Sequence, residues 1–174
     1  KIKLTFEKSL KALKVKKINI LFLHNPRKIS NLPNIIKFLK KLKKEKKIND
    51  YGISITKDYK YNIKFLKKFK NIQLDHNIIY IDMALNKYFK KKYIYARSPF
   101  ASGTIFLKDK KFFSKNDFRY KWLDKEIKKN IINQLKLIKK KYKKSMLNLA
   151  LSFLYKDKYV DKIICGLSKK RQLY

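Results

Sequence analysis

Two kinds of hydrophobic pattern alternate along the chain. Short uncharged apolar runs read as strands, and longer stretches with apolar positions three and four apart read as helices. The run Ile18–Pro26, I-N-I-L-F-L-H-N-P, sets the pattern. An uncharged run of that length predicts a strand buried on both faces, as in a parallel sheet. Pro26 cannot continue a ladder, so the strand ends near His24. A helix over Lys1–Lys16 precedes it, with Phe6, Leu10 and Leu13 at helical spacing. A second helix runs from Pro33 to Lys47. Proline suits a first helical turn, and Ile35, Ile36, Leu39 and Leu42 form the buried stripe. Tyr51–Ile55 is the second strand. A helix over Tyr59–Lys68 follows, capped by Asp58 and buried through Ile63 and Leu66. Ile72–Leu74 is the third strand and runs into Asp75, His76 and Asn77. A short helix over Met83–Lys91 and a fourth strand over Lys92–Ala96 come next. Arg97–Gly103 reads as a polar loop rather than a tight turn, and Phe106–Arg119 as irregular. Ile127, Ile131, Leu135, Ile138 and Tyr142 mark an amphipathic helix. Met146–Leu154, capped by Ser145, is apolar nearly all round and is expected to be buried on more than one side. Ile163–Cys165 is the fifth strand, and Lys169–Tyr174 opens another helix.

Alternation of this kind implies parallel strands joined by right-handed crossovers. An open doubly wound sheet and part of a barrel both satisfy it. The three glycines, Gly52, Gly103 and Gly166, form no phosphate loop after any strand. This argues against a G-x-G-x-x-G dinucleotide fold and against a P-loop. Parallel α/β folds place ligands at the carboxyl ends of their strands. Those ends here carry His24, Ser54, Gln73 with Asp75-His76-Asn77, Arg97-Ser98 and Gly166. Polarity also returns at strand ends in folds with no site there, so the pattern alone leaves both readings open.

Composition changes the picture in three ways. At 174 residues with 45% hydrophobic content, the chain has enough material for one core, or for part of a larger one. It begins at Lys1 and ends at Tyr174 on a helix just starting, so both ends are expected to be cut from something longer. The net charge of +36 suggests nucleic acid. Only four of the 48 basic residues are arginine, however: Arg27, Arg97, Arg119 and Arg171. Arginine is prominent where phosphates and bases are read. Lysine is absent from the strand cores Ile18–Leu23, Gly52–Ile55 and Ile72–Leu74 and lies on helix faces. The charge therefore reads as a solvated surface written by AT-rich codons. No specific nucleic-acid partner is expected, only weak adhesion that salt removes. No apolar run approaches the ~18–20 residues of a membrane span. Cys165 is the single cysteine, which excludes an internal disulfide and fits a reducing, cytoplasmic setting. Two histidines, one cysteine and scattered carboxylates show no metal-ligand spacing.

Five segments together resemble one family. Glu7-x-Ser9-Leu10-x-x-Leu13, followed by Leu23-His24-x-Pro26, resembles E-x-S-L-x-x-L…D-L-x-L-x-H-x-P. Glu45-Lys46-Lys47-Ile48-x-x-Tyr51-Gly52-Ile53-Ser54 resembles E-G-K-I-R-x-I-G-V-S. Ile72-Gln73-x-x-His76-Asn77 resembles I-Q-x-x-Y-N. Ala96-Arg97-Ser98-Pro99-Phe100-Ala101-Ser102-Gly103 resembles A-Y/W-S-P-L-A-x-G, with the arginine of a branch that writes A-R-S. Leu149-Ala150-Leu151-x-Phe153-Leu154, then Ile163-Ile164-x-Gly166-x-Ser168-x-x-x-Gln172-Leu173, resembles the last strand and the adenosine-end motif. In this order and spacing, the chain resembles the aldo-keto reductase superfamily over nearly its whole length.

The resemblance implies an α/β fold: a partial TIM (β/α)8 barrel of about five parallel strands with flanking helices. Residues 1–174 would be a single incomplete domain, from the third helix to the start of the eighth. Such a piece would leave unpaired sheet edges at Ile18–Leu23 and Ile163–Cys165, which invite aggregation. The implied activity is NAD(P)H-dependent reduction of an aldehyde, ketone or sugar carbonyl by hydride transfer. In the family a tyrosine gives the proton, an aspartate and a lysine tune it, and a histidine orients the carbonyl. His24 matches the histidine. The other three would lie upstream of Lys1. The alternative is a catalytically inactive, truncated relative that binds nucleotide or a partner protein. The resemblance further implies that Ser54 and Gln73 hold the nicotinamide carboxamide, with Ile55 replacing the family's asparagine. Arg97 stands where an aromatic ring usually stacks on the nicotinamide. A guanidinium plane can also stack, and a surface salt bridge is its competing role. Ser98, Phe100 and Ser102 match the pyrophosphate loop, and Gly166, Ser168 and Gln172 the adenosine end. Many relatives carry basic residues there for a 2′-phosphate; Lys169, Lys170 and Arg171 are adjacent here but do not decide the matter in so lysine-rich a chain, and NADP(H) is expected ahead of NAD(H). His76 occupies a usual tyrosine position, as pocket lining or as a structural residue.

Overall fold

The computed structural model describes residues 2–26, 32–56, 63–81, 89–106 and 125–167. The elements run α1 (Ile2–Leu13), β1 (Ile18–His24), α2 (Leu32–Lys44), β2 (Ile48–Ile55), α3 (Ile63–Leu66), β3 (Asn71–Asp75), β4 (Tyr93–Arg97), a 3-10 segment (Ala101–Phe106), α4 (Lys125–Tyr142), α5 (Met146–Lys156) and β5 (Lys162–Ile164). The strands follow chain order in the sheet, with β1 and β5 at its two ends. The chain packs as two compact units, Lys1–Leu74 with Tyr88–Ile94 and Asp75–Lys87 with Tyr95–Tyr174. The expected cap at Asp58, most of the Met83–Lys91 helix, nearly all of Phe106–Arg119 and the helix at Lys169–Tyr174 lie outside the described residues.

In the first unit β1 pairs parallel to β2, with Phe22 opposite Gly52 and His24 opposite Ser54. β2 pairs parallel to β3, with Gly52 opposite Asn71 and Ser54 opposite Gln73. Side chains alternate between the faces of a strand, and residues in register share a face. One face therefore meets the helices. Phe6, Leu39 and Leu42 form a buried cluster there, with Leu21, Leu23, Ile35, Phe38 and Tyr51 packed on it; Ile48, where β2 begins, joins the cluster although alternation puts it in step with Gly52. Ile53, Ile72 and Leu74 are buried in the same rows. The opposite face carries two rows, Phe22–Gly52–Asn71 and His24–Ser54–Gln73. β1 is thus not buried on both faces as its composition suggests. Its residues are half-buried, with Asn19 and His24 exposed. An end strand with helices on one face can bury only that face well. β2 begins three residues earlier than expected, at Ile48.

Gly52 is dictated by the row it sits in. A Cβ there would lie 2.6 Å from the Asn71 carbonyl oxygen and 2.7 Å from the Phe22 ring. Two bulky neighbours in register leave room for hydrogen alone.

In the second unit β4 pairs parallel to β5, from Tyr95 opposite Lys162 to Arg97 opposite Ile164. The chain then winds tightly instead of running as an open loop. Ser98, Ala101 and Ser102 have φ of 56°, 45° and 55°, and Gly103 has φ 86°. The left-handed region is cheap only for Gly103, so the winding at the other three is held by its surroundings. α5 packs on this segment, with Thr104, Ile105, Leu149, Ala150 and Leu154 buried. Ser145 caps α5 as expected, its Oγ accepting the Asn148 N–H at 3.1 Å. The burial of α5 is one-sided, since Leu147 and Tyr155 are exposed. α4 turns Leu135 inward and leaves Tyr142, expected in its stripe, 55% exposed.

Candidate functional site

The row His24–Ser54–Gln73 lies at the carboxyl ends of three adjacent parallel strands. Registered positions on neighbouring strands sit about 5 Å apart, close enough for their side chains to hydrogen-bond. Ser54, 2% exposed, donates its hydroxyl proton to Gln73 Oε1 at 2.8 Å. His24 Nδ1 lies 3.4 Å from the same Oγ. The strand-to-turn exit is pinned beside it: the Asn25 N–H donates to the Ser54 carbonyl at 2.7 Å, and Thr56 Oγ1 donates to Asn25 Oδ1 at 3.2 Å. Asn25 adopts φ 43°, a conformation asparagine tolerates better than most residues. Gln73 Nε2 and His24 Nε2 have no protein partner among the described residues. The row therefore offers one amide donor and one imidazole nitrogen outward. The acceptor oxygen of a carboxamide is complementary to that amide donor. Ile55 points away from it, into the helix-side core, at 4% exposure.

A second polar group gathers in the other unit around Asp75. Its Oδ2 accepts from Arg97 Nη2 at 2.8 Å, and its Oδ1 accepts from the Ser98 hydroxyl at 2.8 Å. Asn77 Nδ2 donates to the Ser98 carbonyl at 3.1 Å, while its Oδ1 accepts the N–H groups of Ile79 and Tyr80. Segment 75–77 thus fixes both the side chain and the backbone of Ser98, which accounts for its left-handed φ. Arg97 makes the ion pair that competes with stacking, at 22% side-chain exposure. Phe100 stacks obliquely on Phe106, ring centroids 5.5 Å apart. Ser102 and Gly166 are exposed, and a Cβ at Gly166 would touch nothing within 4 Å. Ser168 and Gln172 lie outside the described residues.

His76 is 1% exposed. Its Nε2 lies 2.8 Å from Asp157 Oδ2, and its ring lies 5.5 Å from that of Phe153. Asp157 in turn caps α5. Of the two expected roles, the structure shows the structural one.

A third polar set sits toward the amino ends of the strands in the first unit. Lys43 Nζ donates to Asp50 Oδ1 at 2.9 Å. Asn71 Nδ2 reaches both Asp50 Oδ2 at 3.0 Å and the Tyr51 carbonyl at 3.1 Å. Burial pushes the Asp50 carboxyl up, but the hydrogen bonds from Lys43, Asn71 and the Tyr51 backbone outweigh it and hold the carboxyl below its ordinary range. A shallow cleft of about 370 Å³ beside it is lined by Lys40, Lys43, Asp50, Tyr51, Lys68 and Lys70.

Sequence reasoning grouped Asp75 with the polar strand ends but gave it no role. The available signal was its place two residues after Gln73 on one strand, in a chain with only 12 acidic residues. Asp50 and Asn71 carried no such signal. No helix among the described residues is long and apolar enough to cross a membrane. No group of three or more histidine, cysteine or carboxylate side chains among them could hold a metal.

A family model described as "Aldo/keto reductase family" matches residues 1–174. A search of curated proteins finds no match. Among solved structures, the chain is similar to the aldo-keto reductase AKR11C1 from Bacillus halodurans in its apo form. That likeness has a TM-score of 0.71 at 21% identity and covers 99% of this chain and 59% of that one. The holo form of the same protein gives 0.71 and 21%, over 99% and 58%. The glycerol dehydrogenase AKR11B4 from Gluconobacter oxydans gives 0.78 at 20% identity, over 99% and 56%. The chain thus spans under three-fifths of the length of the structures it matches. Its five parallel strands with flanking helices are part of a (β/α)8 barrel.

Proposed function

The chain belongs to the aldo/keto reductase family, and from that premise we propose that the protein reduces an aldehyde, ketone or sugar carbonyl with NAD(P)H. The observation that carries this reading is the row His24–Ser54–Gln73, whose outward amide and imidazole groups stand at strand carboxyl ends. When bound, the nicotinamide would supply the hydride. Gln73 and Ser54 would hold its carboxamide. His24 would orient the substrate through its Nε2, the ring nitrogen turned away from Ser54. Arg97, Ser98, Phe100 and Ser102 would serve the nicotinamide and pyrophosphate, and Gly166, Ser168 and Gln172 the adenosine end. NADP(H) is the preferred cofactor and the cytoplasm the proposed location.

The test uses the full-length protein with NADPH and a small aldehyde. NADPH should bind more tightly than NADH, and aldehyde should be consumed. His24→Ala should lower kcat/KM about 100-fold while changing NADPH affinity less than about twofold. Binding without turnover would establish instead the catalytically inactive relative that binds nucleotide. Absence of NAD(P)H binding would overturn the reductase reading and leave, of the alternative, only a relative that binds a partner protein.

A further inference from the structure

We propose that the lysine-lined cleft at the amino ends of β2 and β3 binds a short chain of linked phosphates, at the opposite end of the strands from the His24–Ser54–Gln73 row. The site lies wholly within the first unit and does not depend on the cofactor reading. Lysine is abundant all over this chain, so the number of ammonium groups alone selects nothing. Convergence sets these four apart. Lys40 and Lys43 line the cleft from α2, and Lys68 and Lys70 from the segment between α3 and β3, around one concavity of about 370 Å³. A cleft lined by one sign of charge focuses the field and concentrates the opposite ion. Asp50 is the one carboxylate of the lining among the described residues, and both its oxygens are taken: Oδ1 accepts from Lys43 and Oδ2 from Asn71. Lys40, Lys68 and Lys70 form no ion pair among the described residues. Lys70 Nζ lies instead 4.9 Å from the centre of the Tyr93 ring. The backbone that carries Lys68 and Lys70 is pinned, with the Lys68 N–H donating to the Phe65 carbonyl at 3.1 Å and the Tyr93 N–H to the Lys70 carbonyl at 2.9 Å. Next to Tyr93, burial and then the charge of Lys67 push the Lys92 ammonium below its ordinary range, so the excess of positive charge extends along this end of the strands. An ammonium is a compact point charge with three donors. Linked phosphates carry charge at short intervals and acceptors on every side, so lysines approaching from several directions can hold one such chain without the planar fork of arginine. A lone carboxylate would engage one or two of them, and a nucleic-acid backbone would spread its charges over the whole surface.

The test titrates the full-length protein with inorganic tripolyphosphate by calorimetry, at ~0.15 M salt so that distant charges are screened. Lys40→Gln combined with Lys68→Gln removes one cation from each side of the cleft and leaves the Lys43–Asp50 pair intact. Affinity should fall about tenfold. Lys139→Gln combined with Lys140→Gln removes the same charge from exposed positions of α4 and should change affinity less than about twofold. Equal losses in the two double variants would mean attraction to overall charge and would overturn the proposal. Binding indifferent to the cleft variant would place tripolyphosphate elsewhere and overturn it too, as would no binding at millimolar ligand. Should the cleft double variant fail to fold, Lys40→Gln and Lys68→Gln singly should each weaken binding about threefold, and singles without effect would overturn the proposal. A titration with ATP separates the two sources of such a phosphate chain. Tighter binding than tripolyphosphate, lost equally in the cleft variant, identifies a nucleotide, and weaker binding identifies free inorganic polyphosphate.

Discussion

Two polar networks lie in the first unit, and they differ in what they leave over. Toward the amino ends, Asp50 is bonded by Lys43 and Asn71, and Asn71 also takes up the Tyr51 carbonyl. Its charge is paired and its carboxylate oxygens are both used. Toward the carboxyl ends, Ser54 bonds Gln73, yet Gln73 Nε2 and His24 Nε2 have no partner among the described residues. Both sets lie on β2 and β3; α2 completes the first through Lys43, and β1 completes the second through His24. A closed network stabilises the fold, and an open one costs a little stability and keeps affinity for a ligand. In barrels of parallel strands this division between the two ends is the rule.

Gly52 lies between the networks, and substitution there should have the largest effect of all. Gly52→Ala places a methyl 2.6 Å from the Asn71 carbonyl oxygen, a backbone atom that cannot swing aside. Overpacking of this kind costs about 3 kcal/mol. It would disturb both networks, so denaturant melts should show a large loss of stability and NADPH titrations a loss of affinity. Unchanged stability would mean that the two rows are less tightly coupled than the register implies.

Asn71→Ala should separate the two ends. Asn71 is 3% exposed. Truncation removes one donor from Asp50 and leaves the Tyr51 carbonyl without it. A cost of about 2 kcal/mol is expected, with cofactor affinity unchanged within about twofold. Ser54→Ala should do the reverse. The partners it abandons, Gln73 and His24, can reach water, so stability should change by less than about 1 kcal/mol. NADPH affinity should fall about tenfold, equivalent to about 1.4 kcal/mol. A Ser54→Ala protein that melts early yet binds normally would reverse the assignment of the two networks.

The division of labour was only half legible in the sequence. Five strands and their parallel sense followed from the alternation of apolar runs with helical spacing, because burial imposes those periods directly; the choice of a barrel over an open sheet came only with the family resemblance. His24, Ser54 and Gln73 were found because strand ends are readable and the family motif marks them. Their shared row was not, since register depends on pairing between strands far apart in the chain. The Arg97–Gly103 segment looked like an open loop because serine and alanine carry no signal for left-handed backbone. At Ser98 the winding is held by Asp75 and Asn77, more than twenty residues earlier. The exposed faces of β1 and of α5 were misjudged for a related reason: composition reports how apolar a segment is, and packing decides which of its sides finds a partner.

The smallest expected effect is also the most diagnostic, because it depends on pH. The Asp50 carboxyl is held below its ordinary range in the folded chain, since the bonds from Lys43 and Asn71 outweigh the opposing effect of burial. A depressed folded value means that ionised Asp50 contributes stability above the unfolded value. That contribution is lost as the pH falls through the folded one. Asp50→Asn removes it at every pH. The stability gap between the two proteins should therefore be widest at neutral pH, within about 1 kcal/mol for a partly screened pair, and should close toward the acid end of the carboxylate range. Ser54→Ala removes no carboxylate, so its own small gap should stay flat across that window. Urea melts of both variants at a series of pH values make the comparison. A gap that closes for Ser54→Ala and stays flat for Asp50→Asn would place the charged, stabilising network at the wrong end of the strands.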